Sequence, residues 1–394
     1  MVCSGRVVVK FGGACLSSGE KVRKAAEMVV GCGYKEIVVV VSAMGDTTNR
    51  LIKIMEQVGK IAPEDYSEII SMGERTSARI FSAALRAQGA ESTYLEPSQD
   101  EWPIITDSNF ADAKPLLEET CRRVKTHLEP LLGKTIPVVC GFLGRDESGN
   151  ITTLGRGGSD TTALLLANCL EAEEVILVKE TEGVMSADPK IVPDAKPLPK
   201  LDIHEMFTLA RGGAKIVKAE ALKYKLPNQR LRVVSFSNGL KSGGTEIVGV
   251  FNPNAPEITW RRGLLAVSLV CEMNPTNVGL LFSALGDRPI YGISTGKSSL
   301  TLFTSSGGEE NLLKRLHRLG ISKALSCKRE VGLLEVTHPS FIDSPGWVAK
   351  VSGALASKGI NIIEITTSKA TINIFIDEPR LEEAVKAVKS ILEA

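Results

Sequence analysis

Through the first 250 residues, short β-branched runs alternate with stretches whose apolar residues recur at helical spacing. RVVVKF (6–11), EIVVVVSAM (36–44), TIPVVCGFLG (135–144), EEVILVKE (173–180) and LRVVSFS (231–237) read as strands. Between them SGEKVRKAAEMVVGC, TNRLIKIMEQVGKI, SEIISMGERTSARIFSAALRAQG and SDTTALLLANCLEA read as helices. The strand runs are apolar without alternation, so both faces are buried. That pattern predicts an α/β fold, a mostly parallel central sheet with helices on each side. Ligands in such sheets lie beyond the carboxyl ends of the strands. The glycine-rich turns after 6–11 and 135–144 are therefore where a site is sought.

Residues 251–262, FNPNAPEITWRR, hold two prolines and two asparagines and read as a linker between a domain at 1–250 and a C-terminal region. That region contains an internal echo. GLLAVSLVCEMNPTNVGLLFSALG starts at Gly263, and GLLEVTHPSFIDSPGWVAKVSGALASKG starts at Gly332. Each passes from a strand through a proline-containing loop to a helix opened by Gly279 or Gly346, then gives two strand-like runs and a closing helix. The repeat predicts two β-α-β-β-α modules, 263–330 and 331–394. The second has little chain left for a final strand. GISTGKSS resembles a phosphate-binding loop, but three residues separate Gly292 from Gly296 where four are needed, and it lies between strands.

Composition narrows the partners. The 394 residues carry 47 basic and 46 acidic side chains, a formal charge of +1, which argues against nucleic-acid or polybasic membrane binding. A charged ligand must then be held by a few placed residues. Eight scattered cysteines without a CxxC pair predict reduced thiols and a cytoplasmic setting. The four histidines lie far apart, without metal-ligand spacing. No apolar run approaches the ~20 residues of a membrane span, and Val7–Val9 run straight into Lys10 rather than forming a leader's apolar region.

The candidate chemistry sits in two turns. TLGRGGSDTTALLLANCL (153–170) crowds Gly155, Gly157, Gly158, Arg156, Ser159 and Asp160 at the mouth of a helix. Bare N–H groups at a helix N-terminus make an anion site, although a structural turn with a helix cap uses the same residues. VVVKFGG ends a buried strand with Lys10, Gly12 and Gly13, placing a point charge beside open backbone. Either turn alone is weak. Together they bring cations and glycines to one edge of a sheet.

In this order KFGG, VVVVSAMGDTTNRL, SMGERTSA, GFLGRDESGNITTLGRGGSDTTA, EGVMSADPKIVPDA and RGGAKIV resemble the aspartate kinases of the amino acid kinase superfamily. The tail resembles their paired ACT modules. The resemblance implies a three-layer αβα sandwich followed by two ferredoxin-like ACT modules, and ATP-dependent phosphorylation of the L-aspartate side-chain carboxylate with Mg²⁺ bridging the phosphates. It implies Lys10 as the phosphate-contacting lysine and Asp160 as the residue that orients it. Thr48, Glu74, Arg156 and Ser159 fall on the substrate side. Gly12, Gly13, Gly158, Lys179, Glu180, Met185, Asp188, Lys190 and Lys215 fall on the nucleotide and phosphate side. Read without the resemblance, Lys179 is a solvated lysine at a strand's end. The ACT modules imply a homodimer and feedback by lysine or threonine, with Asp343, Ser344 and Asn361 as effector contacts. Ala14 and Cys15 stand where the family has hydroxyl residues, and KETEGVM where it has a pattern close to TDVDGVY. A kinase for another small acid, or an amino-acid sensor without activity, are the alternative readings.

Overall fold

The five valine-rich runs become the middle of one sheet. Val7, Val8 and Val9 are all fully buried, and since consecutive strand residues point to opposite faces, both faces are covered. This computed structural model describes residues 3–392 apart from 215, 242, 251–255, 339–340, 342–344 and 369. The chain divides into two units, Met1–Phe251 and Asn252–Ala394.

In the first unit the strands are β1 (Cys3–Phe11), β2 (Tyr34–Val41), β3 (Ser92–Leu95), β4 (Ile136–Cys140), the hairpin β5 (Leu143–Arg145) and β6 (Ile151–Thr153), β7 (Glu174–Lys179), β8 (Lys200–Asp202), β9 (Arg230–Ser235) and β10 (Thr245–Val248). Among the described residues eight of these form one sheet in the order β3-β4-β2-β1-β7-β9-β10-β8. Only the β9–β10 pairing in it is antiparallel. From β1 the chain winds one way through β2 and β4, and from β7 the other way through β9. The strand order thus reverses between β1 and β7, the switch point beside whose carboxyl edge ligands bind in such sheets.

The helices are α1 (Gly19–Val30), α2 (Thr47–Val58), α3 (Pro63–Ala87), α4 (Leu117–Arg123), α5 (Gly158–Cys169) and α6 (Ile203–Arg211). Their ends follow local chemistry. Ser18 caps α1 by accepting from the Lys21 N–H, Pro63 opens α3, and Asp202 with Glu205 forms a capping box on α6. α5 differs from the others: it is buried along nearly its whole length, including Ser159, Asp160, Thr161 and Thr162. Buried polar groups need partners, so the start of α5 is constrained to meet other polar chemistry.

The expectation of reduced thiols is corrected for one pair. Cys121 and Cys169 form a disulfide across 48 residues of sequence. α4 packs on α5 and brings the two Cα atoms to 4.7 Å, within bridging range. Sequence spacing carries no trace of that packing. Cys15, Cys140, Cys271 and Cys327 are free thiols. No described helix is long and apolar enough to cross a membrane.

The second unit comprises β11 (Glu257–Cys271), α7 (Pro275–Leu285), β12 (Ile290–Thr295), β13 (Ser299–Ser305), α8 (Glu309–Arg318), β14 (Ser322–Thr337), α9 (Trp347–Ser357), β15 (Ile362–Ser368), β16 (Thr371–Asp377) and α10 (Leu381–Leu392). Its sheet runs β12-β13-β11-β14-β16-β15. Leu265, Val267 and Leu269 pack with Leu281, Leu312 and Leu316, while Leu334 and Val336 pack with Val351, Leu355 and Val388. These are the two expected modules, each with helices over its sheet.

Their boundary differs from the expected one. Residues 257–262, expected as linker, begin β11, and Glu257–Arg261 pair with the second half of β14, from Leu333 to Thr337. The second half of β11 pairs with the first half of β14. Each long strand therefore serves both modules, and the opening of β11 forms an edge of the C-terminal module. A proline-rich approach masked this, because a short strand of mixed polarity on a sheet edge has no alternating signature.

Candidate active site

β1 and β7 are parallel neighbours, with Lys10 opposite Leu177 and Phe11 opposite Val178. Beyond Phe11 the chain bends at Gly12 into a short 3-10 turn, Gly13–Leu16. The Gly12 N–H donates to the Val178 carbonyl at 3.4 Å, and the Gly45 N–H donates to the Gly13 carbonyl at 2.9 Å. The bend after β1 is thereby tied to the end of β7 and to the loop after β2. A Cβ at Gly13 would lie 2.6 Å from the Ala43 carbonyl oxygen. Backbone cannot yield as a side chain can, so Gly13→Ala is expected to lower the thermal midpoint by several degrees and displace the turn. A melting curve matching wild type would contradict that placement.

The second bend leads into α5. Gly157 caps the helix with φ +80°, a left-handed conformation that glycine adopts without strain. Gly158, Ser159 and Asp160 form the first turn and are buried, while Arg156 is exposed on the bend. The two bends meet. Lys10 Nζ lies 2.7 Å from Asp160 Oδ1, and the Ser42 hydroxyl, just past β2, donates to Ser159 Oγ at 3.0 Å. Asp160 Oδ2 also accepts the Lys218 N–H at 3.3 Å.

Lys179 is not solvated as expected. Its ammonium lies 3.4 Å from both carboxylate oxygens of Asp160, and its side chain is 19% exposed. A strand's last residue is solvated only if nothing covers the strand's end, and here α5 presents a carboxylate there. Burial alone would raise the Asp160 carboxyl, but the Lys10 and Lys179 ammonium groups outweigh it and hold it at about 2.

Glu74 reaches the same region from α3. It is 4% exposed, and its Oε1 accepts the Ala43 N–H at 3.0 Å. Its Oε2 is buried and has no hydrogen-bond partner among the described residues. Burial pushes this carboxyl up to about 7, opposed by the Ala43 bond and by the charge of Lys10. A buried carboxylate with an idle oxygen is a receptor for a cation. Gly73 keeps the wall beside it thin: a Cβ there would lie 2.7 Å from Ala43 Cβ and 3.7 Å from Thr48 Oγ1. Thr48 is half-buried in the first turn of α2 and lines the same wall.

The remaining nucleotide-side residues are not drawn into this cluster. Glu180 pairs with Lys21 at 2.6 Å, and Lys21 also donates to the Ala14 carbonyl at 2.9 Å. Met185 is half-buried and bridges Pro197, while exposed Asp188 accepts the Lys190 N–H at 2.9 Å. Among the described residues no hydrogen bond joins these positions to Lys10 or Asp160. Lys215, Asp343 and Ser344 lie outside the described residues. Asn361 is exposed just ahead of β15. Ser42 and Lys218 are additional members that sequence reading missed. Ser42 lay inside the VVVVSAMGD stretch at a strand's carboxyl end, a usable signal, whereas Lys218 contributes a backbone N–H and had none.

Glycine bends at the switch point of a parallel sheet, two lysines on one buried carboxylate and a second carboxylate with one unpartnered oxygen form a charged cluster able to meet both signs of a small ligand. Residues 5–235 match the model of the amino acid kinase family, and residues 327–390 match that of the ACT domain. The chain belongs to the amino acid kinase family. An aspartokinase of Corynebacterium glutamicum is 32% identical over 405 residues, covering 97% of this chain and 94% of that protein. The crystal structure of an aspartate kinase from Synechocystis covers 99% of this chain and 70% of its own, with TM-score 0.71 and 24% identity. E. coli aspartokinase III in complex with aspartate and ADP covers 99% of this chain and all of its own, with TM-score 0.58 and 22% identity. These two structures share the fold.

Proposed function

We infer that this protein is an aspartate kinase, which transfers the γ-phosphoryl group of ATP to the side-chain carboxylate of L-aspartate and yields 4-phospho-L-aspartate. The observation that carries the reading is the Lys10–Asp160 ion pair joining the two glycine bends, with the idle oxygen of Glu74 beside it. Similarity to aspartokinases over nearly the whole chain supports it.

A free amino acid presents one ammonium and one α-carboxylate at fixed separation. Glu74 takes the ammonium, and exposed Arg156 swings in to clamp the α-carboxylate through its planar fork. Thr48 and Ser159 supply hydroxyls around them. The attacking carboxylate, with an ordinary pKa of about 3.9, is already ionised at neutral pH, so no general base is required. Catalysis then rests on in-line placement and charge neutralisation. Lys10 meets the phosphoryl group while Asp160 fixes its ammonium. The glycines at 12, 13 and 158 keep side chains out of the phosphate path, although the Gly12 and Gly158 N–H groups are given to the Val178 and Gly155 carbonyls, and Lys215 adds a further cation.

Mg²⁺ enters as part of the nucleotide substrate. Asp160 is committed to two ammonium groups and an N–H, and Glu180 to Lys21, which leaves the ion to the nucleotide's own phosphate oxygens. Met185, Asp188 and Lys190 lie on the segment that approaches the adenosine side. The second unit is regulatory, binding lysine or threonine near Asp343, Ser344 and Asn361. Exposed Ile290 and Ile293 on the edge strand β12 favour pairing of two copies through this unit.

The test is ADP release across a panel of small amino acids, with hydroxylamine trapping of acyl phosphate. Aspartate is expected to give turnover and a trapped hydroxamate. Turnover with another acid alone would move the substrate assignment, and none with any acid would leave an amino-acid sensor.

A further inference from the structure

The carboxyl ends of β1 and β7 carry an imbalance of charge. Two ammonium groups, Lys10 and Lys179, share the single carboxylate of Asp160, at 2.7 Å and 3.4 Å. Glu180, next to Lys179 in the chain, is already engaged by Lys21. While the nearby Glu74 carboxyl is protonated, below about pH 7, the trio of Lys10, Lys179 and Asp160 carries one excess positive charge, with side chains 6%, 19% and 6% exposed. Holding such a charge away from water is costly unless an anion arrives. The two lysines stand at the carboxyl ends of adjacent parallel strands, on either side of the switch point, where a ligand enters.

We propose that Lys179 is a further catalytic cation, beyond Lys10 and Lys215, which faces Lys10 across the phosphoryl group during transfer. The proposal rests on the phosphotransfer reading above. In the step, an oxygen of the acceptor carboxylate bonds to the γ-phosphorus. The bond from that phosphorus to the β–γ bridging oxygen breaks, and ADP leaves with the electron pair. No proton moves, and neither lysine forms a bond. Their part is to balance charge that spreads over the equatorial oxygens. Asp160 holds both ammonium groups apart from each other and aimed at one point.

Lys179 also marks its role by its titration. Burial depresses its ammonium to about 8, with Asp160 opposing and Lys10 reinforcing the shift. The groups that face it are Asp160 on α5, Lys10 on β1 and the Cys15 thiol in the Gly13–Leu16 turn, with Glu180 next in the chain. Cys15 is itself pushed up by burial and by Glu180, so it stays neutral where Lys179 begins to lose its proton. A cation needed for transfer would then make kcat fall as pH rises past about 8.

The experiment uses the full chain and the Lys179→Thr, Lys179→Met and Lys179→Arg variants, each checked by thermal melting. Aspartate-dependent kcat is measured from pH 6 to 10, as is calorimetric binding of a non-hydrolysable ATP analogue and of ADP with Mg²⁺. Lys179→Thr and Lys179→Met are expected to lose about 10- to 100-fold in kcat with little change in KM for aspartate, and to bind the triphosphate analogue about tenfold more weakly while ADP is unaffected. Lys179→Arg is expected to recover part of kcat and to move the alkaline limb beyond the range. A residue that only braces the fold would leave the limb and the triphosphate preference in place. Wild-type kcat, pH limb and triphosphate affinity in folded Lys179→Thr would overturn the proposal. Loss of triphosphate affinity in a chain that does not turn over aspartate would retain it and reject the acceptor assignment instead.

Discussion

Lys10→Ala is expected to leave a folded chain whose aspartate-dependent turnover is about a thousandfold slower or less. Lys10 is buried at 5% exposure with its ammonium 2.7 Å from Asp160. Removing it takes away the cation that, on the proposed reading, meets the phosphoryl group. Removing one partner of a buried ion pair ordinarily costs several kcal/mol, because the other charge is stranded. Here Lys179 remains 3.4 Å from both oxygens of Asp160, so the carboxylate keeps a partner and the fold survives. Activity and stability should therefore separate: a large fall in kcat, with a thermal midpoint only a few degrees lower. Retention of wild-type turnover would place the chemistry elsewhere in the molecule.

Glu74→Gln is the second large effect, and it is legible through pH. The Glu74 carboxyl sits at about 7 in the folded chain, raised from 4.5. The folded state thus holds a proton that the unfolded state releases between pH 4.5 and 7. Stability of the unliganded chain therefore declines as pH rises through that window and levels off above it. Asp160 has the opposite sign: held at about 2, it contributes stability above 3.8 that disappears as pH falls through 2. Substrate binding through its ammonium requires Glu74 ionised. In wild type, KM for aspartate should rise as pH drops below about 7, approaching a tenfold change per unit. Glu74→Gln should raise KM about 100-fold, make it insensitive to pH over this range, and abolish the acid-side stabilisation. Initial-rate kinetics and denaturant titrations at pH 5, 6, 7 and 8 would read both. A pH-dependent KM that persists in Glu74→Gln would assign the ammonium to another group.

Most of the catalytic unit's frame could be read from the chain, because uninterrupted Val and Ile runs have few alternatives to a buried parallel strand. The strands at 6–11, 136–140, 174–179 and 230–235 stand where those runs are. The short strands Ser92–Leu95, Lys200–Asp202 and Thr245–Val248 were not legible. Three or four residues at a sheet's margin bury too little apolar surface to impose a period. Lys10, Ser159 and Asp160 could be picked out from the two glycine turns that carry them, whereas Glu74 entered only through the family resemblance, since a Glu-Arg pair on a helix otherwise reads as surface. The burial of Lys179 and the Cys121–Cys169 pair were not legible, for one shared reason. In each case the partner lies on α5, 19 residues away in the first case and 48 in the second.

The order of residues alone determined the alternation of strands and helices, the two glycine bends, the repeated small modules and the near-neutral charge that leaves ligand binding to a few side chains. These are local properties, set by burial periodicity and backbone freedom within a dozen residues. Tertiary structure decided which groups meet: that Lys10 and Lys179 divide one carboxylate, that Glu74 keeps an idle oxygen, and that residues 257–261 pair with a module more than 70 residues downstream. Such encounters depend on the order of strands across a sheet and on which helix covers the strand ends. Electrostatic energy falls with distance in space, and no separation along a chain records that distance.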